Sequence, residues 1–333
     1  WVSNYFIICK FGGKRQIRHY KNGGKRQIRH YKNGGKRHFE LKNLVENKKS
    51  LIFASKSKTM AQDIIRFKRK MYDTMLKWKQ ERNGDTALLI QGARRVGKST
   101  IAEEFARNEY KSYILIDFSK VSKEVSDLFN DISDLNYLFI RLQFIFQVEL
   151  HERESVIIFD EVQLQPLARQ AIKHLVKDHR YDYIETGSLI SVRSKSKNII
   201  IPSEETKVDI FPMDYEEFRW ALGDDQTIPL LYTMFNNLSP LSDDTNRRMM
   251  RDFRLYVLVG GMPQAVNDYL DTNDMSIVDQ RKRSILDLYD EDFYDLDPSG
   301  QTSDLFHSIP AQLNSNASRY QVGSVIEGGK LDR

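Results

Sequence analysis

The sequence predicts an α/β fold, a parallel sheet sandwiched by helices, followed by a smaller helical unit. Three observations carry this. Apolar runs alternate with helix-period segments from residue 87 to residue 211; a glycine-rich turn stands where the first run becomes a helix; beyond Pro212 the strand pattern gives way to helices. Strands separated by helices pair in parallel through crossovers.

The elements follow in chain order. Phe67, Met71, Met75 and Trp78 recur at helical spacing, a stripe for core packing that Asn83-Gly84-Asp85 ends. Then come strand 87–91, helix 98–107, strand 113–117, a helical stretch 124–150 and strand 156–159. Helix 166–177 and strands 183–185 and 208–211 complete the layered sheet. Helical patterns over 216–222, 229–237, 246–259 and 277–289 form the second unit.

With 40% apolar and 29% charged residues, the 333-residue chain has an ordinary globular balance. Its net charge of +5 is unevenly spread. Residues 1–59 hold 16 Lys/Arg against Glu40 and Glu46, a charge of +14, so the remainder carries 5 − 14 = −9. The only cysteine, Cys9, excludes an intrachain disulfide and a cysteine-based zinc site, and suits a cytoplasmic location. The apolar stretch 137–150 is broken by Arg141, Gln143 and Gln147, short of the ~18 apolar residues of a membrane span. His151, His174, His179 and His307 lack ligand spacing.

The segment GGKRQIRHYKN at 12–22 repeats identically at 23–33, a period of 11. So basic and glycine-rich a unit predicts disorder over 1–59. One reading is an arm that grips nucleic acid, with Tyr20 and Tyr31 stacking on bases. The other, since the first methionine is Met60, is translated upstream repeat sequence outside the working protein.

The turn itself reads Gly92-Ala93-Arg94-Arg95-Val96-Gly97-Lys98-Ser99-Thr100, the phosphate-binding P-loop pattern between strand and helix. Glycines let the backbone wrap a phosphate so that successive N–H groups point inward. The helix that begins there adds its positive end. Lys98 is expected at the β- and γ-phosphates of ATP, and the Ser99 hydroxyl on Mg²⁺. Arg94 and Arg95 occupy the variable part of the loop, either touching phosphate or serving the structure.

Ser155-Val156-Ile157-Ile158-Phe159-Asp160-Glu161 is apolar on both faces and ends in two carboxylates, as a central parallel strand with a ligand at its carboxyl end would. Asp160 is expected in the Mg²⁺ shell and Glu161 to activate water. The intervening strand 113–117, with a glutamate beside the Mg²⁺ aspartate, favours an AAA/RecA-like P-loop ATPase over a nucleotide kinase. In Glu185-Thr186-Gly187-Ser188 there are two readings: a hydroxyl beside the acidic pair that senses the γ-phosphate, Ser188 ahead of Thr186, or a Ser or Thr that only forms a turn.

Residues 66–330 resemble a prokaryotic family of AAA-type ATPases with a C-terminal domain of unknown function. The resemblance rests on GARRVGKST, IIFDEVQ and ETGSL, and more particularly on the segment 211–218, on Val259-Gly260-Gly261-Met262-Pro263 and on Ile309-Pro310-Ala311-Gln312-Leu313. It implies an ATPase core over 60–212, a helical lid over 213–300 and an incomplete winged-helix-like segment over 301–333. Because relatives continue into a further domain, it also implies truncation at the C-terminus. Where many relatives place a Gly-Arg pair carrying an arginine finger, this chain has Ser203-Glu204-Glu205-Thr206-Lys207, leaving Arg193, Arg219 and Arg254 as substitutes.

The functional expectation is Mg²⁺-dependent ATP hydrolysis catalysed by Lys98, Glu161 and Ser188, coupled to a DNA or protein partner through the C-terminal region, with oligomers compatible and no membrane. The alternatives are a nucleotide-switched binding module with little turnover and a small-molecule kinase, for which no acceptor site is legible. Gly260-Gly261 with Pro263 reads as a tight turn at a helix end.

Overall fold

The computed structural model describes residues 5–11, 14–20, 27–29, 67–188, 203–314 and 319–326. It divides into residues 1–64 and 65–333. In the first unit, β1 (Tyr5–Phe11), β2 (Lys14–Tyr20) and β3 (Gln27–Arg29) form an antiparallel sheet in that order. This differs from the disorder expected over 1–59. The reason is local: Tyr5-Phe6-Ile7-Ile8 is dense in aromatic and β-branched residues, and the basic repeat pairs with it residue for residue, Ile8 opposite Ile17. The second repeat copy then pairs back on the first, Arg18 opposite Ile28. The rest of 1–59, including Tyr31, lies outside the described residues.

The second unit opens with α1 (Lys70–Arg82) and then β4 (Ala87–Gly92), α2 (Lys98–Glu109) and β5 (Ser112–Asp117). Next come α3 (Lys123–Asp127), α4 (Leu135–Phe146), β6 (Ser155–Asp160) and, past a single 3₁₀ turn at Val162–Leu164, α5 (Pro166–Asp178). β7 (Asp182–Ser188) and β8 (Glu205–Ile210) complete a parallel sheet of order β5-β6-β7-β4-β8. β4 and β6 thus lie one strand apart, although β5 separates them in sequence.

Alternation along the strands serves two cores. Ala87, Leu89, Ile157 and Phe159 face α4 and α5, against Leu138, Phe139, Leu142, Ile172 and Leu175. Leu88, Ile90, Val156 and Ile158 face α1 and α2, where Met71, Met75 and Trp78 of the expected stripe are buried with Phe105; its Phe67 is half-buried against the helical unit's core instead. Each buried Val, Leu, Ile, Phe or Met among them contributes about 1.5–3 kcal/mol by leaving water.

The helical stretch expected over 124–150 is broken in two. Between α3 and α4 stands Asn130-Asp131-Ile132-Ser133-Asp134, and the Asp134 carboxylate accepts the Tyr137 amide at 3.0 Å, starting a new helix.

Beyond β8 the chain is helical: α6 (Tyr215–Ala221), α7 (Thr227–Asn236), α8 (Asp243–Val259), α9 (Pro263–Thr272), α10 (Met275–Leu296) and α11 (Gln301–Asn314). Met213, Phe218, Val259, Ala265, Val266 and Val278 make its core. Gly260 caps α8 at φ +83°, and Pro263 opens α9, the expected turn. A Cβ on Gly261 would meet the Met213 carbonyl oxygen at 2.2 Å, so this turn packs directly on the chain leaving β8. α10 runs two turns past the expected end at Tyr289, which brings Asp292 to the site below.

Candidate nucleotide site

The sheet order places the ends of β4, β7 and β6 side by side, the carboxyl edge where parallel sheets bind ligands. Gly92 closes β4. A Cβ there would sit 2.3 Å from the Ile210 carbonyl oxygen, so only glycine lets β4 and β8 approach. The loop turns through left-handed backbone at Arg95 (φ +66°) and Gly97 (φ +95°), and α2 begins at Lys98.

The loop residues divide by role. Val96 is fully buried in the core and anchors the loop. Ala93, Arg95 and Thr100 are exposed. Lys98, 4% exposed, donates from Nζ to the carbonyls of Gly92 at 3.2 Å and Ala93 at 2.9 Å. Burial lowers its pKa, while the Glu161 and Asp160 carboxylates pull in the other direction. Arg94 is turned towards α10: Nη2 lies 3.4 Å from an Asp292 carboxylate oxygen, and Nη1 3.4 Å from the Leu288 carbonyl. Tyr289 of the same helix donates its hydroxyl to the Arg94 carbonyl at 3.1 Å.

Ser99 Oγ donates to Asp160 Oδ1 at 2.6 Å, joining the loop to the end of β6. Thr186 Oγ1 donates to the same carboxylate oxygen and accepts the Glu161 amide at 3.2 Å. Glu161 sits in left-handed backbone, φ 54° and ψ 47°, at a cost of about 1 kcal/mol for a residue with a Cβ. That kink turns the chain out of β6, and Gln163 Nε2 donates to the Glu161 carboxylate at 2.5 Å. Hence Ser99, Asp160 and Glu161, expected together from sequence, are brought together.

The two hydroxyls at the end of β7 differ in what they touch. Thr186 touches both members of the acidic pair, whereas Ser188, two residues further along β7, is level with Gly92. Among the substitute arginines, Arg219 is committed to Asp252 at 2.8 Å and to Asp224, Arg254 is exposed, and Arg193 lies outside the described residues. Two contributions were not anticipated: Gln163, and Arg69 at the start of α1, which donates to the Val96 carbonyl at 3.0 Å.

Among the described residues no cluster of three or more His, Cys, Asp or Glu could hold a metal. A cation at this site would therefore take Ser99 and Asp160 and fill its remaining positions from ligand and water. Hard hydroxyl and carboxylate oxygens fit Mg²⁺, which keeps several waters and takes few protein ligands.

Residues 84–219 match the AAA domain model. That segment is an AAA domain. Residues 250–328 match a domain of unknown function (DUF8612), giving the two-part order that the resemblance implied. Similar solved structures include the Thermotoga maritima RuvB Holliday junction branch migration motor, 14% identical with TM-score 0.29, covering 47% of this chain and 51% of that one. C. elegans PCH-2 is 11% identical with TM-score 0.32, covering 62% and 60%. The closed state of Hsp104 with ATPγS and casein is 12% identical with TM-score 0.33, covering 67% and 43%. This chain thus spans about half the length of these proteins. No curated protein matches it in sequence. Among the described residues no helix is long and apolar enough to cross a membrane.

Proposed function

We propose that the protein binds ATP with Mg²⁺ and hydrolyses it to ADP and phosphate. The 2.6 Å contact between Ser99 and Asp160 is the observation that carries this reading, because it joins the phosphate-binding turn to the acidic strand. When bound, Mg²⁺ would neutralise phosphate charge and orient the terminal phosphate.

The chain's own residues do the rest. Lys98 exchanges the Gly92 and Ala93 carbonyls for phosphate oxygens, which are better partners for a buried ammonium. The loop amides and the start of α2 bind the remaining phosphate oxygens. Ser99 and Asp160 hold the cation, and Thr186 holds Asp160 in place. Glu161 takes a proton from the attacking water once its carboxylate leaves Gln163. Ser188 remains a candidate for the γ-phosphate side, since it stands level with Gly92. The single cysteine fits a reducing cytoplasm.

A second reading, a nucleotide-operated switch for a DNA or protein partner, draws support from the contact of α10 with Arg94, which links the loop to the C-terminal domain. Two variants separate the readings. Lys98→Ala should lose nucleotide affinity in both. Glu161→Gln should still bind ATP, while phosphate release falls by roughly 10²-fold or more. Unchanged phosphate release in Glu161→Gln removes Glu161 from the mechanism, and no release by the wild type at all favours the switch.

A further inference from the structure

Arg69 precedes the AAA domain match in sequence, yet its guanidinium is buried beneath the loop. It is 7% exposed. Nη1 donates to the Val96 carbonyl at 3.0 Å, Nη2 donates to the Phe211 carbonyl at 2.7 Å, and Nε lies 3.1 Å from a Glu217 carboxylate oxygen. That carboxylate also accepts the Lys70 amide at 2.7 Å and, through its other oxygen, the Asp214 amide at 3.2 Å, closing the capping box of α6. One planar cation therefore ties the loop, the exit of β8 and the first lid helix to a single point.

The Val96 carbonyl shares a peptide unit with the Gly97 amide. No cis peptide bond occurs among the described residues, so in this planar trans unit the N–H points opposite to the C=O. Fixing the carbonyl on Arg69 therefore aims the Gly97 N–H at the other side of the loop. Gly97 needs that help most, since at φ +95° it has no side chain to hold its backbone. A charged donor on the carbonyl also polarises the amide and makes its N–H a stronger donor. Glu217 balances the buried charge, so the clamp persists without drawing Arg69 towards a ligand.

We propose that Arg69 is a positioning residue for nucleotide binding: it orients and strengthens the Gly97 amide as a phosphate donor and pins the lid to the same peptide. This rests on the nucleotide-binding reading above. The full-length chain is titrated with a fluorescent ADP analogue, and ATP turnover is measured as Arg69→Gln, Arg69→Lys and the wild type. Losing a charged hydrogen bond to the loop should weaken binding and raise KM by about 10-fold or more in Arg69→Gln. With ATP saturating, kcat should stay within about 3-fold, because the reacting groups are untouched. Arg69→Lys, with its charge kept but without the planar fork, should fall in between.

A merely structural Arg69 would lower the melting temperature and leave the KM of the folded fraction alone, and that result overturns the proposal. If Arg69→Gln does not fold, Arg69→Lys decides: wild-type affinity overturns the proposal, weakened affinity at unchanged kcat supports it. A wild-type chain that binds no nucleotide overturns the nucleotide reading itself, and this inference with it.

Discussion

Glu185 offers a sharp physical test of the sheet beside the site. It lies in β7 with no exposed surface, level with Leu89 on one side and Phe159 on the other, and neither carboxyl oxygen has a hydrogen-bond partner among the described residues. Burial pushes its pKa well above the ordinary 4.5, with the Glu205 carboxylate adding to the push and Arg169 and Lys207 opposing it. Arg169 is held by Glu205, whose carboxylate accepts Nε and Nη2 at 3.0 Å each. The folded protein thus keeps a proton that the unfolded chain releases above about pH 4.5. The sign follows: this group's stability contribution is full below 4.5 and is lost as pH rises towards the folded pKa. The loss is about 1.4 kcal/mol per pH unit while the folded carboxyl stays neutral. For a unit of this size that is about 2–3 °C per pH unit. Glu185→Gln keeps the shape and removes the titration. Melting both proteins by circular dichroism from pH 5 upward should show the variant gaining on the wild type by that slope. A constant difference across this range would mean that Glu185 is already ionised in the fold, and the argument fails.

Two further outcomes concern the site. Thr186→Val deletes the hydroxyl that bonds Asp160 and the Glu161 amide, so steady-state phosphate release should fall about 10-fold, more than for Ser188→Ala; the reverse order returns the sensing role to Ser188. Asp292→Asn removes a carboxylate 3.4 Å from Arg94, which also acts on Lys98. Phosphate oxygens bring negative charge to the same cations, so ADP should bind about 5-fold tighter in titration calorimetry, by ~1 kcal/mol of relieved repulsion. Weaker binding would show that Asp292 supports the loop rather than competing with phosphate.

The sheet and the joined pair of motifs were legible because the chemistry confines them to contiguous residues. A loop that wraps phosphate needs Gly92 and Gly97 at fixed spacing, and a buried central strand must be apolar on both faces before it ends at Asp160. What was not legible depends on register or on distant chain. Thr186 and Ser188 share a face of β7, and only the pairing of β6 with β7 decides which is level with Asp160. Arg69 sits in the basic run Arg66-Phe67-Lys68-Arg69-Lys70, where every cation reads as solvated; its burial comes from Phe211 and Glu217, over 140 residues away. The break before Asp134 was visible in Asn130-Asp131-Ile132-Ser133-Asp134, but apolar periodicity on both sides outweighed it.

Two long-range contacts to carbonyls of the loop have a common geometry. The Arg94 carbonyl accepts Tyr289 of α10, and the Val96 carbonyl accepts Arg69 at the head of α1. Each peptide carbonyl held from behind fixes the direction of the next N–H, so the amides of Arg95 and Gly97 are aimed by residues outside the 84–219 AAA domain. Tyr289 belongs to the 250–328 domain, which therefore touches the loop backbone and, through Asp292, its charge. Moving α10 away would release the Arg94 carbonyl and side chain together, altering both the aim of the Arg95 amide and the field at Lys98. Coupling free energies are reciprocal. Whatever a phosphate ligand does to the seating of α10, a partner that holds or lifts α10 does to phosphate affinity, by the same factor.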